Sequence, residues 1–264
     1  MRTLLRAING KDVGGEPLPQ HFRSFQQADI ILRRAELNLV AGTPGAGKSS
    51  IALALAVQTK VPTLYISADT NAHTMGMRLL SMATGVTQNH AEQMIKSNDQ
   101  RVDQVMKQFE NLHWGFDATP TLNDIDELVM AFETKWGQPP ELIVVDNLMD
   151  VAMDGHEEFS GMRSAMKELK YLARDTNACI LVLHHTKEGF IGTPCQPRSA
   201  VQGMVNQIPA LILTIGQEII GDSTYLCVAP VKNRYGKADA TGGSFVMLSF
   251  DPSTMQLKDV HTND

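Results

Sequence analysis

The sequence predicts an α/β fold with a mainly parallel central sheet, helices on both faces and antiparallel C-terminal strands. The first observation is that short apolar segments alternate with segments of helical periodicity over residues 37–184. The second is that residues 142–145 are continuously apolar, as a strand buried on both faces should be. The third is that strand-like segments at 210–216, 223–231 and 243–250 are joined by polar turns instead of helices.

The individual elements follow from periodicity and capping residues. Strands are predicted at 37–41, 62–67, 112–116, 142–146 and 178–184. Helices are predicted at 71–83, twice within 87–110, from Thr121 to about Trp136, and at 159–176. Thr87, Asp99 and Thr121 are suited to the N-cap positions of three of these helices. Residues 1–36, in which glycines and prolines interrupt all but a short helix around 25–32, are expected to form an N-terminal arm or linker before one domain at 37–264.

The composition is that of an ordinary globular protein. With 264 residues, of which 43% are hydrophobic, the chain is long enough to bury one large α/β core. No apolar run approaches the ~18 residues of a membrane span, and the N-terminus lacks the apolar core of a signal peptide. Cys179, Cys195 and Cys227 form no zinc or disulfide pattern. We therefore expect a cytoplasmic protein without membrane contact.

Residues 42–50 read Gly-Thr-Pro-Gly-Ala-Gly-Lys-Ser-Ser and match the phosphate-binding loop pattern without a mismatch. A strand-like segment precedes the loop and helix-forming residues follow it, which is the context that the motif needs. Glycines let successive N–H groups turn toward a phosphate, and the helix N-terminus adds a positive field. We therefore expect the chain to bind a nucleoside triphosphate. The expected nucleotide-binding residues are Thr43, Pro44, Gly45, Ala46, Gly47, Lys48, Ser49 and Ser50.

Two oxygen-bearing side chains are expected to hold Mg²⁺ beside this loop. The hydroxyl of Ser49 ligates the metal in loops of this kind. Asp146 ends the apolar strand at 142–146, and an Asp at that position orients the Mg²⁺ shell in phosphate-loop ATPases. The alternative for Asp146 is simple termination of a strand.

Three further side chains are candidates for the hydrolytic step. Asp69 follows the strand at 62–67, at the sheet edge where ligands bind, and is expected to position the attacking water. Its alternative role is to cap the helix at 71–83. His184 and His185 point to opposite faces of one strand, so they do not share a metal site easily. One of them is expected to sense the γ-phosphate, and a structural role is the alternative.

Lys232 and Arg234 are two cations one residue apart, just beyond the strand at 223–231. If that strand extends through Arg234, the two side chains share a face and suit one phosphate group. An arginine supplied to the γ-phosphate accelerates phosphoryl transfer strongly. The alternative is a solvated hairpin turn.

Taken together, these segments resemble the RecA-type motor domain of DnaB-type replicative helicases and their phage relatives, over about residues 37–250. Ile66-Ser67-Ala68-Asp69 resembles the segment that carries the family's catalytic glutamate, and residues 142–148 resemble its Mg²⁺ strand. Residues 169–174 and 181–185 resemble its helix and sensor strand. Lys232-Asn233-Arg234-Tyr235-Gly236 resembles a Lys-x-Arg-x-Gly segment whose cations reach the neighbouring subunit's ATP site.

The resemblance implies a RecA-like ATPase domain that uses ATP and Mg²⁺, with Lys48, Asp69, His185, Lys232 and Arg234 as catalytic residues. It also implies a homo-oligomer, a hexameric ring with ATP sites between subunits, that acts on single-stranded or forked DNA in replication or recombination. The helicases carry Glu at position 69, which is one methylene longer than Asp, so we expect altered water positioning and slow hydrolysis here. They carry Gln at position 185. The His-His-Thr sequence at 184–186 is closer to plasmid RepA-like hexameric ATPases. Only about 36 residues precede the core, so loading through an N-terminal primase-binding domain is not expected.

By the same resemblance, DNA contacts are expected in the loops at about 151–161 and 187–198. The first loop is acidic and the second offers Lys187 and Arg198, which is a thin basic supply in a chain of net charge −6. Three alternatives remain open: a recombination or repair ATPase that does not unwind DNA, a metal-dependent nuclease acting on branched DNA with carboxylates such as Asp146, Asp150 and Asp154, and a nucleotide-gated loader or scaffold protein.

Overall fold

The computed structural model describes residues 15–152, 158–187 and 193–260. Within these residues nine strands form one sheet in the order β3-β2-β4-β5-β1-β6-β7-β8-β9. The strands are β1 Leu37–Gly42, β2 Thr63–Ser67, β3 Leu112–Gly115, β4 Leu142–Asp146, β5 Cys179–His185, β6 Leu211–Ile220, β7 Ser223–Asn233, β8 Val246–Asp251 and β9 Gln256–Asp259. The helices are α1 Arg23–Gln27, α2 Lys48–Thr59, α3 Ala72–Thr84, α4 Gln88–Lys96, α5 Gln100–Met106, α6 Leu122–Trp136 and α7 Glu158–Thr176.

In this spatial order, the first six strands pair in parallel with their neighbours. Strands β7, β8 and β9 follow in antiparallel pairing. This arrangement confirms the predicted mainly parallel sheet with an antiparallel C-terminal extension. The short strand β9 was not predicted. It forms a hairpin with β8 that is closed by the Asp251 side chain, which accepts hydrogen bonds from the backbone N–H of Ser253 at 2.9 Å and the hydroxyl of Thr254 at 2.9 Å.

Helices cover both faces of the sheet, as predicted. On one face, α2 and α3 bury apolar residues such as Ile51, Leu53 and Met75 against the strands. On the other face, α6 and α7 bury residues such as Phe132 and Met166. The parallel strands between them are therefore buried on both sides, which explains their continuously apolar sequences.

The N-terminal segment packs against the body of the protein along residues 15–36. Its buried side chains join the hydrophobic cluster of the α2 face; they are Leu18, Phe22, Phe25, Ile30 and Leu32. Helix α1 begins and ends earlier than the predicted helix at 25–32. Its start is fixed by Asp259 of β9, whose carboxylate accepts hydrogen bonds from the backbone N–H groups of Arg23 at 2.8 Å and Ser24 at 3.1 Å. The division of the chain at residue 36 stays a prediction, and residues 1–14 lie outside the described part.

The three predicted helix caps are confirmed. Thr87, Asp99 and Thr121 each accept a hydrogen bond from the backbone of the first helical turn that follows. At Thr121 the bond is reciprocal, because the Asp124 side chain accepts from the backbone N–H of Thr121 in return. In the described part of the chain, no helix is both long and apolar enough to cross a membrane.

His184 lies fully buried near the end of β5, on the same side of the sheet as α6 and α7. Its Nε2 atom lies 3.2 Å from the backbone oxygen of Gln202. Burial lowers the pKa of His184 to about 4, because a charged imidazolium loses its hydration there. The neighbouring charges of His185 and Lys48 act in the same direction.

Truncation of Phe25 tests whether the N-terminal segment belongs to the folded core. We expect Phe25→Ala to lower the free energy of unfolding by about 3–5 kcal/mol, because the ring is fully buried. Urea unfolding followed by circular dichroism measures this change. Phe116→Ala is the matched control at an exposed ring, with an expected loss of about 1 kcal/mol. Equal losses for the two variants would show that residues 15–36 add no core stability.

The buried His184 predicts a pH dependence of stability. Its pKa is lower in the folded state than the ~6.5 of an unfolded chain, so the unfolded state binds protons first as the pH falls. The contribution of neutral His184 to the free energy of unfolding is fully present above pH ~6.5. It decreases as the pH falls toward ~4, and the loss at pH 5 is about 2 kcal/mol. Unfolding measured at pH 7.5 and pH 5 should show a smaller decrease in His184→Gln than in the wild type. The same substitution at the exposed His21 should leave the decrease unchanged.

Candidate nucleotide-binding site

The loop at residues 42–50 connects the carboxyl end of β1 to the first turn of α2. Gly45 and Gly47 have φ angles of 76° and 98°, in the left-handed region that favours glycine. Gly47 is the residue immediately before α2, which begins at Lys48. The backbone N–H groups of the loop and the helix N-terminus therefore surround one point, which is an arrangement that binds anions.

Lys48 is buried at the base of this loop. Its Nζ atom donates hydrogen bonds to the backbone oxygens of Gly42 at 3.1 Å and Thr43 at 3.0 Å. Burial lowers the pKa of Lys48, whereas the carboxylates of Asp146 and Asp69 oppose that shift. The two carboxylates thus favour the charged form of Lys48, and the lysine of such a loop reaches the β- and γ-phosphates of a nucleotide.

Asp146 and Ser49 meet beside the loop. The buried carboxylate of Asp146 accepts hydrogen bonds from the Ser49 hydroxyl and, at 3.0 Å, from the hydroxyl of Tyr65. Burial nevertheless raises the pKa of Asp146. No group of three or more His, Cys, Asp or Glu side chains within the described residues could hold a metal ion. A hydroxyl and a single carboxylate fit Mg²⁺, which typically takes one or two protein ligands and fills its octahedron with phosphate oxygens and water.

Asp69 lines the same cleft as the loop and Asp146. It follows β2, whose last residue Ser67 pairs with Asp146 of β4. The alternative that Asp69 caps α3 is wrong, because the N-cap is Asn71, whose side chain accepts from the backbone N–H of Thr74 at 2.9 Å. The exposed carboxylate of Asp69 is thus available to a ligand in the cleft. Its role in positioning water stays a prediction.

His185 is the last residue of β5 and faces the loop. Its Nδ1 atom lies 3.5 Å from Nζ of Lys48. Burial and the charge of Lys48 lower the pKa of His185, and Asp150 and Asp69 act in the opposite direction. As expected from their adjacent positions, His184 and His185 have different surroundings, and His185 alone of the two lines the cleft. The sensor role is therefore assigned to His185 as a prediction.

The cleft has a volume of about 420 Å³ and contains residues that the sequence did not single out. Arg78 of α3 lines it, and so does Gln217 of β6, whose Nε2 atom donates to the backbone oxygen of Gly45 at 3.1 Å. No local motif marks Arg78 or Gln217, because each reaches the site from a helix or strand outside the motif segments. Asp150, one of the carboxylates named for the nuclease alternative, lies near the cleft, and burial and the charge of Asp69 raise the pKa of its carboxyl group.

Lys232 and Arg234 lie at the end of the sheet where the parallel strands begin, opposite the end that carries the loop. Strand β7 ends where β1 and β6 begin, with Asn233 paired to Leu211 of β6. The backbone N–H of Arg234 donates to Ala210 at 2.9 Å, but β7 ends at Asn233. Arg234 therefore lies in the exposed connection between β7 and β8, and the hairpin-turn alternative stays open. At about 3.3 Å per residue, the length of β1 places the two cations roughly 20 Å from their own phosphate-binding loop.

Both cations have partners within the chain. Lys232 donates from Nζ to the backbone oxygens of Asn206 at 3.2 Å and Gln207 at 2.7 Å. Burial lowers the pKa of Lys232 to about 8, and the neighbouring charge of Arg234 adds to this effect. Arg234 forms an ion pair with Glu36, with Nη1 at 3.2 Å from Oε1.

The two loops expected to contact DNA are described only in part. Residues 153–157 and 188–192 lie outside the described part of the chain, including Asp154 and Glu157. At the edges of the second loop, Thr186 forms a bridge with Val201, and the backbone N–H of Lys187 donates to Ala200.

Known proteins resemble this chain in both sequence and fold. The family model of the DnaB-like helicase C-terminal domain matches residues 18–188. The Gene 65 protein of Mycobacterium phage L5 is 36% identical over 98% of this chain and 99% of its own length. A solved DnaB-like replicative helicase has a TM-score of 0.77 at 15% identity, over 98% of this chain and 67% of that one. A solved ATPase domain has a TM-score of 0.76 at 15% identity, over 98% and 96%.

These comparisons confirm both the RecA-like fold and the resemblance on which the sequence interpretation depended. The family match covers the loop, Asp69, Asp146 and His185, all of which the fold brings to one edge of the sheet. The chain belongs to the family of DnaB-like helicase C-terminal domains and is an ATPase of that family.

Proposed function

We propose that this chain is a ring-forming DNA motor that couples ATP hydrolysis to movement on single-stranded DNA, in replication or recombination in the cytoplasm. The observation that carries the proposal is the position of Lys232 and Arg234. They lie at the end of the sheet opposite their own loop and cannot reach it, which supports a role in the ATP site of another copy of the chain. A closed ring of identical subunits, a hexamer by family resemblance, satisfies every such site.

In the proposed site, Lys48 and the loop N–H groups hold the triphosphate. Ser49 and Asp146 would hold Mg²⁺, which supplies charge neutralisation between the β- and γ-phosphates. The hydrogen bond between the Ser49 hydroxyl and Asp146 supports this assignment, because the two oxygens lie next to each other. Tyr65 orients the Asp146 carboxylate from below, because its hydroxyl donates to Oδ2 at 3.0 Å.

Hydrolysis needs a water molecule in line with the γ-phosphate and a group that accepts its proton. Asp69 is proposed for that role, because its exposed carboxylate lines the cleft on the side of Asp146 and Lys48. His185, within 3.5 Å of Lys48, would contact the γ-phosphate and report its loss to the loop that follows β5. Lys232 and Arg234 of the adjoining copy would stabilise the charge of the transition state.

DNA is proposed to pass along the loops that follow β4 and β5. Lys187 and Arg198 flank the second loop and are the cations available there. A single chain of net charge −6 offers few phosphate contacts, whereas a ring repeats them once per subunit. We therefore expect strong binding to single-stranded DNA to depend on assembly.

Molecular mass in solution, with and without ATP and single-stranded DNA, tests the proposal. We expect an oligomer of about six chains when both ligands are present, with ATP hydrolysis stimulated by DNA. A strict monomer under all conditions would contradict the shared site. Displacement of a strand from a forked substrate then tests unwinding.

The same assays separate the alternatives. DNA-stimulated hydrolysis without strand displacement would favour a recombination or repair ATPase. Hydrolysis that DNA leaves unchanged would favour a loader or scaffold protein. Metal-dependent cleavage of branched DNA that survives Lys48→Ala would favour a nuclease.

Substitution of Asp69 tests the proposed water-positioning group. We expect Asp69→Asn to lower kcat by about 100-fold or more, because the amide cannot accept the proton. Steady-state ATPase measurements and a nucleotide-binding assay distinguish this from weaker binding. Asn71→Ala, which removes the cap of α3, is the control and should cost about 1 kcal/mol of stability with an unchanged kcat. Hydrolysis by Asp69→Asn at the wild-type rate would show that another group positions the water.

A further inference from the structure

The segment that carries Lys232 and Arg234 is fixed against the N-terminal segment of the same chain. The side-chain nitrogen of Asn233 donates to the backbone oxygen of Asp29 at 2.9 Å, and its Oδ1 accepts from the backbone N–H of Tyr235 at 3.1 Å. At Gly236 an added Cβ would lie only 2.4 Å from Cβ of Asp29. The backbone around Arg234 is therefore held in one position, and only glycine permits the close approach at position 236.

Glu36 occupies the centre of this contact. Its side chain is 11% exposed and accepts from Nη1 of Arg234, at 3.2 Å to Oε1 and 3.4 Å to Oε2. The hydroxyl of Tyr235 donates to the same carboxylate. The guanidinium of Arg33 lies over the Tyr235 ring, 4.8 Å from its centroid. The carboxylate of Glu36 is thus held by Tyr235 as well as by Arg234, and Arg33 packs against the Tyr235 ring.

The contact with Glu36 restrains Arg234 but does not occupy all of its N–H donors. The guanidinium has five N–H donors in a fixed plane, and Glu36 engages it through Nη1. The arginine side chain remains 42% exposed, so other N–H groups stay accessible from outside the chain. A flexible side chain held at one edge is already oriented for a planar, two-point contact with a phosphate.

We infer that Glu36 is a positioning residue: its carboxylate aims Arg234 at the phosphates bound by the adjoining copy. The inference rests on the proposed site between subunits. Donors that are oriented before the reaction need no reorganisation as charge develops in the transition state. Loss of this orientation should therefore reduce the rate of hydrolysis more than the binding of ATP.

The direct test compares Glu36→Ala and Glu36→Gln with the wild-type protein. Glu36→Ala is expected to lower kcat by about 10- to 100-fold with little change in KM for ATP, because a donor displaced by about 1 Å loses rate at that scale. Glu36→Gln keeps an acceptor oxygen and should lose less. Glu141→Gln is the matched control, because Glu141 pairs with Arg34 in the same region and does not contact Arg234. It should leave kcat unchanged.

Glu36 directly precedes β1 and its loop, so a defect in the chain's own ATP site must be distinguished. Mixed oligomers do this. Glu36→Ala subunits are mixed with Lys48→Ala subunits, which lack a functional loop but carry an intact Glu36 and Arg234. Where an intact arginine meets the loop of a Glu36→Ala subunit, hydrolysis should recover, so the mixture should exceed the sum of the two variants measured separately.

A second mixture, of Arg234→Ala and Lys48→Ala subunits, distinguishes a failure of the proposed site between subunits from a failure of the positioning role of Glu36. If neither mixture recovers activity, the site between subunits is wrong and the proposed function fails with it. If the Arg234→Ala mixture recovers and the Glu36→Ala mixture does not, the site stands and the positioning role of Glu36 is wrong. Faster hydrolysis by Glu36→Ala alone would also overturn the inference, since it would mean that Glu36 withholds the arginine.

Discussion

The parallel pairing of β1, β2, β4 and β5 is the constraint on which the site depends. Parallel strands end at the same edge of a sheet, so Gly42, Ser67, Asp146 and His185 meet there although they are far apart in sequence. The helices that cover both faces exclude water from the strands and leave the edge as the place where polar side chains are accessible. The continuously apolar core thus determines where the chemistry is possible.

Electrostatics at this edge are balanced by a few charged groups of opposite sign. Lys48 is buried beside two acids, Asp146 and Asp69, and burial shifts its pKa down while the acids oppose the shift. Asp146 is buried as well, and its pKa rises in spite of two hydrogen bonds. Each group is therefore in an environment that penalises its own charge, and a phosphate with a divalent cation would relieve both penalties at once.

Much of the fold could be predicted because its signals are local. The loop motif, the apolar strand ending in Asp146 and the caps at Thr87 and Thr121 depend on neighbouring residues only. Strand β9 was missed because its sequence is short and mostly polar, and the end of β6 was missed because no alternation marks residues 217–220; pairing with β8 and β7, respectively, stabilises them. Helix α1 was misplaced for the same reason, since Asp259 of a distant strand fixes its start.

The site residues divide in the same way, into those with a local signal in the sequence and those that tertiary contacts bring in. Residues inside the motifs were identified, and their placement in one cleft agrees with the sequence interpretation. Arg78 and Gln217 reach the cleft across the fold, and Glu36 contacts Arg234 from 198 positions away in the chain. Such pairs have no signature in a single sequence, because tertiary structure alone brings them together.

Glu36 directly precedes strand β1, and Gly42 ends it. It is buried along its whole length and paired on both sides, so it cannot bend or stretch without breaking hydrogen bonds to β5 and β6. In the ring proposed above, β1 would connect the arginine that serves one ATP to the loop that binds the next, and its pairing on both sides would keep these two parts of a subunit at a fixed distance.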